Sequence, residues 1–142
     1  MNTQVKPKKR ILVVDDDPGI PWFLKINLER TNDYIVKVET HGSEALRAAE
    51  AFAPDLILLD VMMPEPDGGQ LAEMFSARPK LKHIPIVFLT AAVKKDEVAS
   101  HGGRVGGLRF IAKPASLQEV IDCIEAELKI RESGAGGHGP VA

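Results

Sequence analysis

Four features of this 142-residue chain combine residue types and spacing that could do chemistry together: the run Asp15-Asp16-Asp17, Asp60, Thr90 and Lys113. Each directly follows a short apolar stretch, so each stands where a buried strand would end. Carboxylates gathered in one place repel, and one of them takes up a proton unless a cation or a lysine neutralises the set. A few carboxylate oxygens completed by retained water suit an octahedral Mg²⁺, or Mn²⁺. The lack of clustered His or Cys argues against zinc. Asp60 is then a nucleophile candidate, because a bound cation screens the repulsion between a carboxylate and an incoming phosphoryl group. Plainer readings compete at each position. Asp17 before Pro18 suits helix capping, Asp60 before Val61-Met62-Met63-Pro64 suits loop opening, and a lysine after a strand is usually only solvated.

The elements that must position these groups follow from the hydrophobic pattern. Ile11-Leu12-Val13-Val14, Leu56-Ile57-Leu58-Leu59 and Ile86-Val87-Phe88-Leu89 are apolar without alternation, as expected for parallel strands covered on both faces. Residues 34–38 and 108–112 are weaker strands, expected on the outside of the sheet. Helical stretches are expected at about 20–30, 42–52, 68–77, 94–101 and 116–131. In the last, Leu117, Val120, Ile121, Ile124 and Leu128 recur at helical spacing, and Ser116 with Glu119 makes a capping-box pattern. Strict alternation of five such units predicts an α/β, flavodoxin-like, doubly wound five-stranded parallel sheet in the order 2-1-3-4-5. In such a sheet ligands collect at the carboxyl ends of the strands, where the four features stand.

Composition sets the bounds. The length and 44% hydrophobic content fit one domain over residues 10–131, with a basic flexible lead-in (1–9) and a glycine-rich disordered tail (132–142). With 18 basic and 20 acidic residues and a net charge of −2, no general attraction to nucleic acid or anionic membrane is expected. Cys123 stands alone, so a disulfide framework is excluded and a reducing, cytoplasmic location is expected. No secretory signal and no membrane-spanning stretch is apparent.

The residues ILVVDDDPGI (11–20), DLILLDVMMPEPDGG (55–69), IPIVFLTA (84–91) and FIAKPAS (110–116) resemble, in order and spacing, the receiver domains of bacterial response regulators. The resemblance covers about residues 10–131 and implies a stand-alone, phosphorylation-dependent signalling switch rather than a true enzyme. Asp60 would be the phosphoacceptor. Asp16 would ligate the metal directly, Asp15 more often through water, and the Met62 backbone carbonyl would complete the protein ligands. Thr90 and Lys113 would contact the phosphoryl oxygens, with Phe110 as the switch aromatic and a cis peptide before Pro114. The donor would be a sensor histidine kinase or a histidine phosphotransfer protein, and the output contact with an unknown downstream protein. Water access to the phosphorylated aspartate would be tuned by Met62 and Ala92.

Two departures from the family's pattern stand out: Pro21 inside the expected first turn of a helix, which points to a later or distorted start, and the glycine-rich stretch His101–Gly107. Other functions fit less well. A phosphatase of the haloacid dehalogenase type needs a general-acid aspartate two residues after the nucleophile, where this chain has Met62. A flavin-binding flavodoxin needs a hydroxyl- and glycine-rich phosphate loop where this chain has three aspartates. The alternative that stays closest is a receiver-like interaction module that is not phosphorylated.

Overall fold

Two interleaved sets of apolar side chains organise the molecule. Along β1 (Lys9–Val14) and β3 (Leu56–Leu59), alternate residues enter opposite cores, since successive side chains of a strand face opposite sides of the sheet. Ile11, Val13, Leu56 and Leu58 join Leu24 and Leu28 of α1 (Ile20–Arg30) and Val120, Ile124 and Leu128 of α4 (Leu117–Ser133). Leu12, Val14, Ile57 and Leu59 join Ala45, Ala48 and Ala49 of α2 (Ala45–Phe52) and Leu71 and Phe75 of α3 (Gly68–Ser76). The continuous apolar runs are thus buried on both faces, as expected of parallel strands. The computed structural model describes residues 7–17, 19–91, 104–105, 108–113 and 115–133, with backbone only at 104, 105, 108 and 131–133.

The sheet is completed by β2 (Tyr34–Glu39), β4 (Ile86–Thr90), β5 (Arg104–Val105) and β6 (Leu108–Ala112), in the order β2-β1-β3-β4-β6-β5. Its five parallel strands have the expected 2-1-3-4-5 arrangement, β6 taking the fifth place. One detail is corrected: residues 108–112 do not form the outermost strand, because β5 pairs antiparallel on their far side, Arg104 opposite Arg109 and Val105 opposite Leu108. Only Gly106 and Gly107 separate the two in sequence, a length and composition that suit a hairpin reversal. The helix expected at 94–101 and the tail from 134 lie outside the described residues. Among those residues, no helix is long and apolar enough to cross a membrane.

Local details follow the same logic. α1 begins at Ile20 despite Pro21, whose missing N–H falls in the first turn, where it would have no intrahelical partner. The later start that Pro21 suggested does not occur. Asp17 lies two residues before the N-cap, Gly19, yet its Oδ1 accepts the N–H groups of Gly19 (2.7 Å) and Ile20 (3.1 Å). The capping role expected of Asp17 is met from outside the helix. Ser116 and Glu119 make the expected reciprocal capping bonds. A second capping box, Asp67 with Gln70, opens α3. The Asp-x-x-Gln spacing ahead of Leu71 was its signal in the sequence.

Candidate functional site

Backbone register brings the acidic groups together. In the β1–β3 ladder Val14 lies opposite Leu59, so the next residues, Asp15 and Asp60, emerge side by side at the carboxyl end of the sheet. The Asp60 N–H donates to the Val14 carbonyl (3.0 Å), and the Asp15 N–H to that of Glu39 (3.1 Å). From the other side, the Lys113 N–H donates to the Thr90 carbonyl (3.0 Å), which carries the β4–β6 pairing past Ala112 and holds the lysine backbone at the same pole.

The side chains converge. Carboxylate oxygens of Asp15, Asp16 and Asp60 lie within 4.8 Å of one another, Asp15 and Asp60 buried and Asp16 exposed. Lys113 Nζ stands 2.9 Å from Asp15 Oδ2 and 3.6 Å from Asp60 Oδ2. Asp15 Oδ1 accepts the Asp17 N–H (2.9 Å), and Asp60 Oδ1 the Met62 N–H (3.1 Å). Both Asp15 oxygens are therefore engaged, whereas Asp16 reaches toward solvent.

Burial, aided by the charge of Asp15, pushes the Asp60 carboxyl above the usual aspartate range, against the Met62 N–H and Lys113. For Lys113 burial works the other way, but the carboxylates of Asp15, Asp60 and Asp17 outweigh it and hold the ammonium above its ordinary value. The backbone N–H groups of Gly19 and Ile20 keep the Asp17 carboxyl low, against weak desolvation. The local excess of negative charge falls on Asp60.

A resident divalent cation suits this donor set. Three carboxylates face one ammonium, the donors are all oxygen, and two of the three are buried where unscreened repulsion costs most. Thr90, fully buried, closes β4 beside this group. Phe110 is half-buried on β6 and stacks on Phe88 with centroids 5.0 Å apart and ring planes at 24°. Met62 points outward at 62% exposure while its neighbour Met63 is buried. Pro114 and Ala92 lie outside the described residues. Sequence reasoning did not anticipate the Met62 N–H contact with Asp60, because a turn amide leaves no trace in residue type.

The parallel strands thus carry an acidic pocket and a lysine together at their carboxyl pole. Residues 11–125 match the family model of the response regulator receiver domain, and the chain belongs to that family. It is 40% identical over 129 residues to the alkaline phosphatase synthesis transcriptional regulatory protein PhoP of Bacillus subtilis, covering 89% of this chain and 51% of that protein. It is 35% identical over 125 residues to the DNA-binding response regulator MtrA of Mycolicibacterium smegmatis, covering 88% and 53%. The chain thus spans about half the length of these relatives. Among solved structures, a CheY-like response regulator receiver domain protein from Methanospirillum hungatei superimposes with a TM-score of 0.72 at 27% identity, covering 90% of this chain and 99% of that one. The chemotaxis protein CheY4 of Vibrio cholerae gives 0.71 at 25%, covering 84% and 98%.

Proposed function

We propose that the chain is a phosphorylation-dependent switch in which Asp60 accepts a phosphoryl group from a phosphohistidine of a sensor kinase or histidine phosphotransfer protein. The observation that carries this reading is the position of Asp60, buried at the end of β3 with Asp15, Asp16 and Lys113 Nζ converging on it. Asp60 attacks phosphorus through a carboxylate oxygen as the P–N bond to the imidazole breaks, and the imidazole leaves with the bonding electron pair. Little covalent chemistry is asked of the protein, so its part is positioning and charge compensation.

Asp16, Asp60 and the Met62 backbone carbonyl are the residues that would hold Mg²⁺ or Mn²⁺ directly. Asp15, whose oxygens already serve Lys113 and the Asp17 N–H, fits a water-mediated part. The cation supplies charge neutralisation to a carboxylate and a phosphoryl group brought into contact. Lys113 compensates charge from the other side, and the Thr90 hydroxyl binds a phosphoryl oxygen. Phosphorylation adds about 1.5 to 2 negative charges and new acceptor oxygens at this pole. Thr90 and Lys113 share a backbone hydrogen bond, and Phe110 stacks on Phe88, two residues before Thr90. A shift of Thr90 toward the phosphoryl group therefore opens space for Phe110, and the altered surface is read by a protein partner.

Incubation with Mg²⁺ and acetyl phosphate, followed by intact-mass measurement, tests the reading. One added phosphoryl group is expected, lost on Asp60→Ala and on chelation. Labelling that survives Asp60→Ala would sink the assignment, and an unlabelled wild-type chain would favour an interaction module that works without phosphorylation.

A further inference from the structure

Two glycines outside the carboxylate set lie against the loop that follows Asp60. Gly68, the first residue of α3, is buried, and a Cβ there would stand 2.5 Å from the Asp60 carbonyl oxygen and 2.6 Å from Val61 Cα. These are backbone atoms, so no rotamer change relieves the clash. The Gly68 N–H also donates to the Val61 carbonyl (3.1 Å), which fixes the same close approach. At the far end of the loop, a Cβ on Gly42, in the short 3₁₀ turn Gly42–Glu44 before α2, would lie 2.8 Å from the Pro66 carbonyl oxygen. Neither glycine has a left-handed φ, so the requirement is space rather than backbone freedom.

At a helical position with open space, alanine is ordinarily at least as favourable as glycine. If Gly68 served only α3, alanine would not destabilise the protein. Here it must instead push the Asp60–Val61 backbone away from α3, and with it the Met62 N–H that holds Asp60 Oδ1 at 3.1 Å. Gly69 is the internal control, because a Cβ there meets only the Asp67 side chain, at an ordinary 3.5 Å.

We infer that Gly42 and Gly68 are positioning residues for the phosphoacceptor, gripping the Val61–Pro66 loop at its two ends so that the Met62 backbone is set against the Asp60 carboxylate. The inference rests on the reading of Asp60 as phosphoacceptor. It is tested with Gly68→Ala, Gly42→Ala and Gly69→Ala, by Mg²⁺ titration calorimetry, initial rates of acetyl phosphate labelling, and urea unfolding. Gly68→Ala is expected to lower the labelling rate about 100-fold, the scale of a small misplacement of reacting groups, and Mg²⁺ affinity about tenfold, the scale of a lost supporting contact. Gly42→Ala should shift both in the same direction by less, and Gly69→Ala should stay within about twofold of wild type. A drop in urea stability with Mg²⁺ affinity and labelling unchanged would make the glycines merely structural and overturn the inference. If Gly68→Ala does not fold, Gly42→Ala decides on the same criteria. A wild-type chain that binds Mg²⁺ but takes no label refutes the phosphoacceptor reading instead, and the Mg²⁺ titrations still judge the glycines.

Discussion

Asp60 carries a burden that its neighbours do not. Its carboxyl is pushed up by burial first and by Asp15 second, so in its folded state it binds a proton more readily than in the unfolded chain. Between the unfolded and folded values the native state holds more protons, so stability falls as pH rises through that window and stays lower above it. Asp60→Asn removes the buried charge and leaves Lys113 paired with Asp15 at 2.9 Å. Without divalent cations the substitution should therefore stabilise the chain at neutral pH, with the gain fading as pH falls toward the ordinary aspartate range. Urea unfolding in EDTA at neutral pH and in that range is the measurement, and a loss of stability at neutral pH would contradict it. The acidic triplet, Asp60, Thr90 and Lys113 were legible in the sequence because each follows an apolar run, and parallel pairing carries all such ends to one pole. The roles of Gly42 and Gly68 were not, because they depend on a backbone approach between segments that no local pattern records.

At the scale of elements, Asp17 shows how one residue type divides between structure and chemistry. Its side chain faces the start of α1 and accepts two N–H groups that would otherwise lack partners, whereas Asp16 stands exposed among the pocket oxygens. Asp16→Ala should weaken Mg²⁺ binding more than Asp17→Ala, and Asp17→Ala should lower the melting temperature more than Asp16→Ala. Calorimetric titration and thermal unfolding of both variants measure the two orders; equal effects on both would show the triplet wrongly divided. The strands were readable because their apolar runs are continuous, and α4 because its periodicity and capping box agree. β5 was not, since two residues are too few to carry a period. The early turns of α2 were expected as plain helix, yet Gly42–Glu44 forms a tighter 3₁₀ turn before Ala45.

Across the whole molecule, the two poles of the sheet are built differently. At the pole away from the pocket, Glu125 of α4 accepts from Lys9 Nζ at 2.7 Å and from the Tyr34 hydroxyl, joining the first residues of β1 and β2 to the last helix. Arg109 of β6 meets the buried Glu127 of α4 at 3.1 Å. Burial opposes the charge on Glu125, but Lys9 and Tyr34 outweigh it and hold the carboxyl below its ordinary value. Its contribution is thus present at neutral pH and lost as pH falls through the folded value, opposite in sign to that of Asp60. Glu125→Gln should cost about 0.5 kcal/mol at pH 7, a figure kept small by solvent screening at a part-exposed pair. The gap from wild type should close in acid, and urea unfolding across pH follows it. These contacts join residues 91 and 116 apart in the chain, beyond the reach of local pattern. The helix that opens beside Lys113 therefore passes these anchors and runs on to Ser133, some 25 Å from its start at 1.5 Å per residue. A rod of this length converts angle into distance: a tilt of about 5° about its first residue would correspond to roughly 2 Å at its last, a displacement that the anchors at Glu125 and Glu127 oppose.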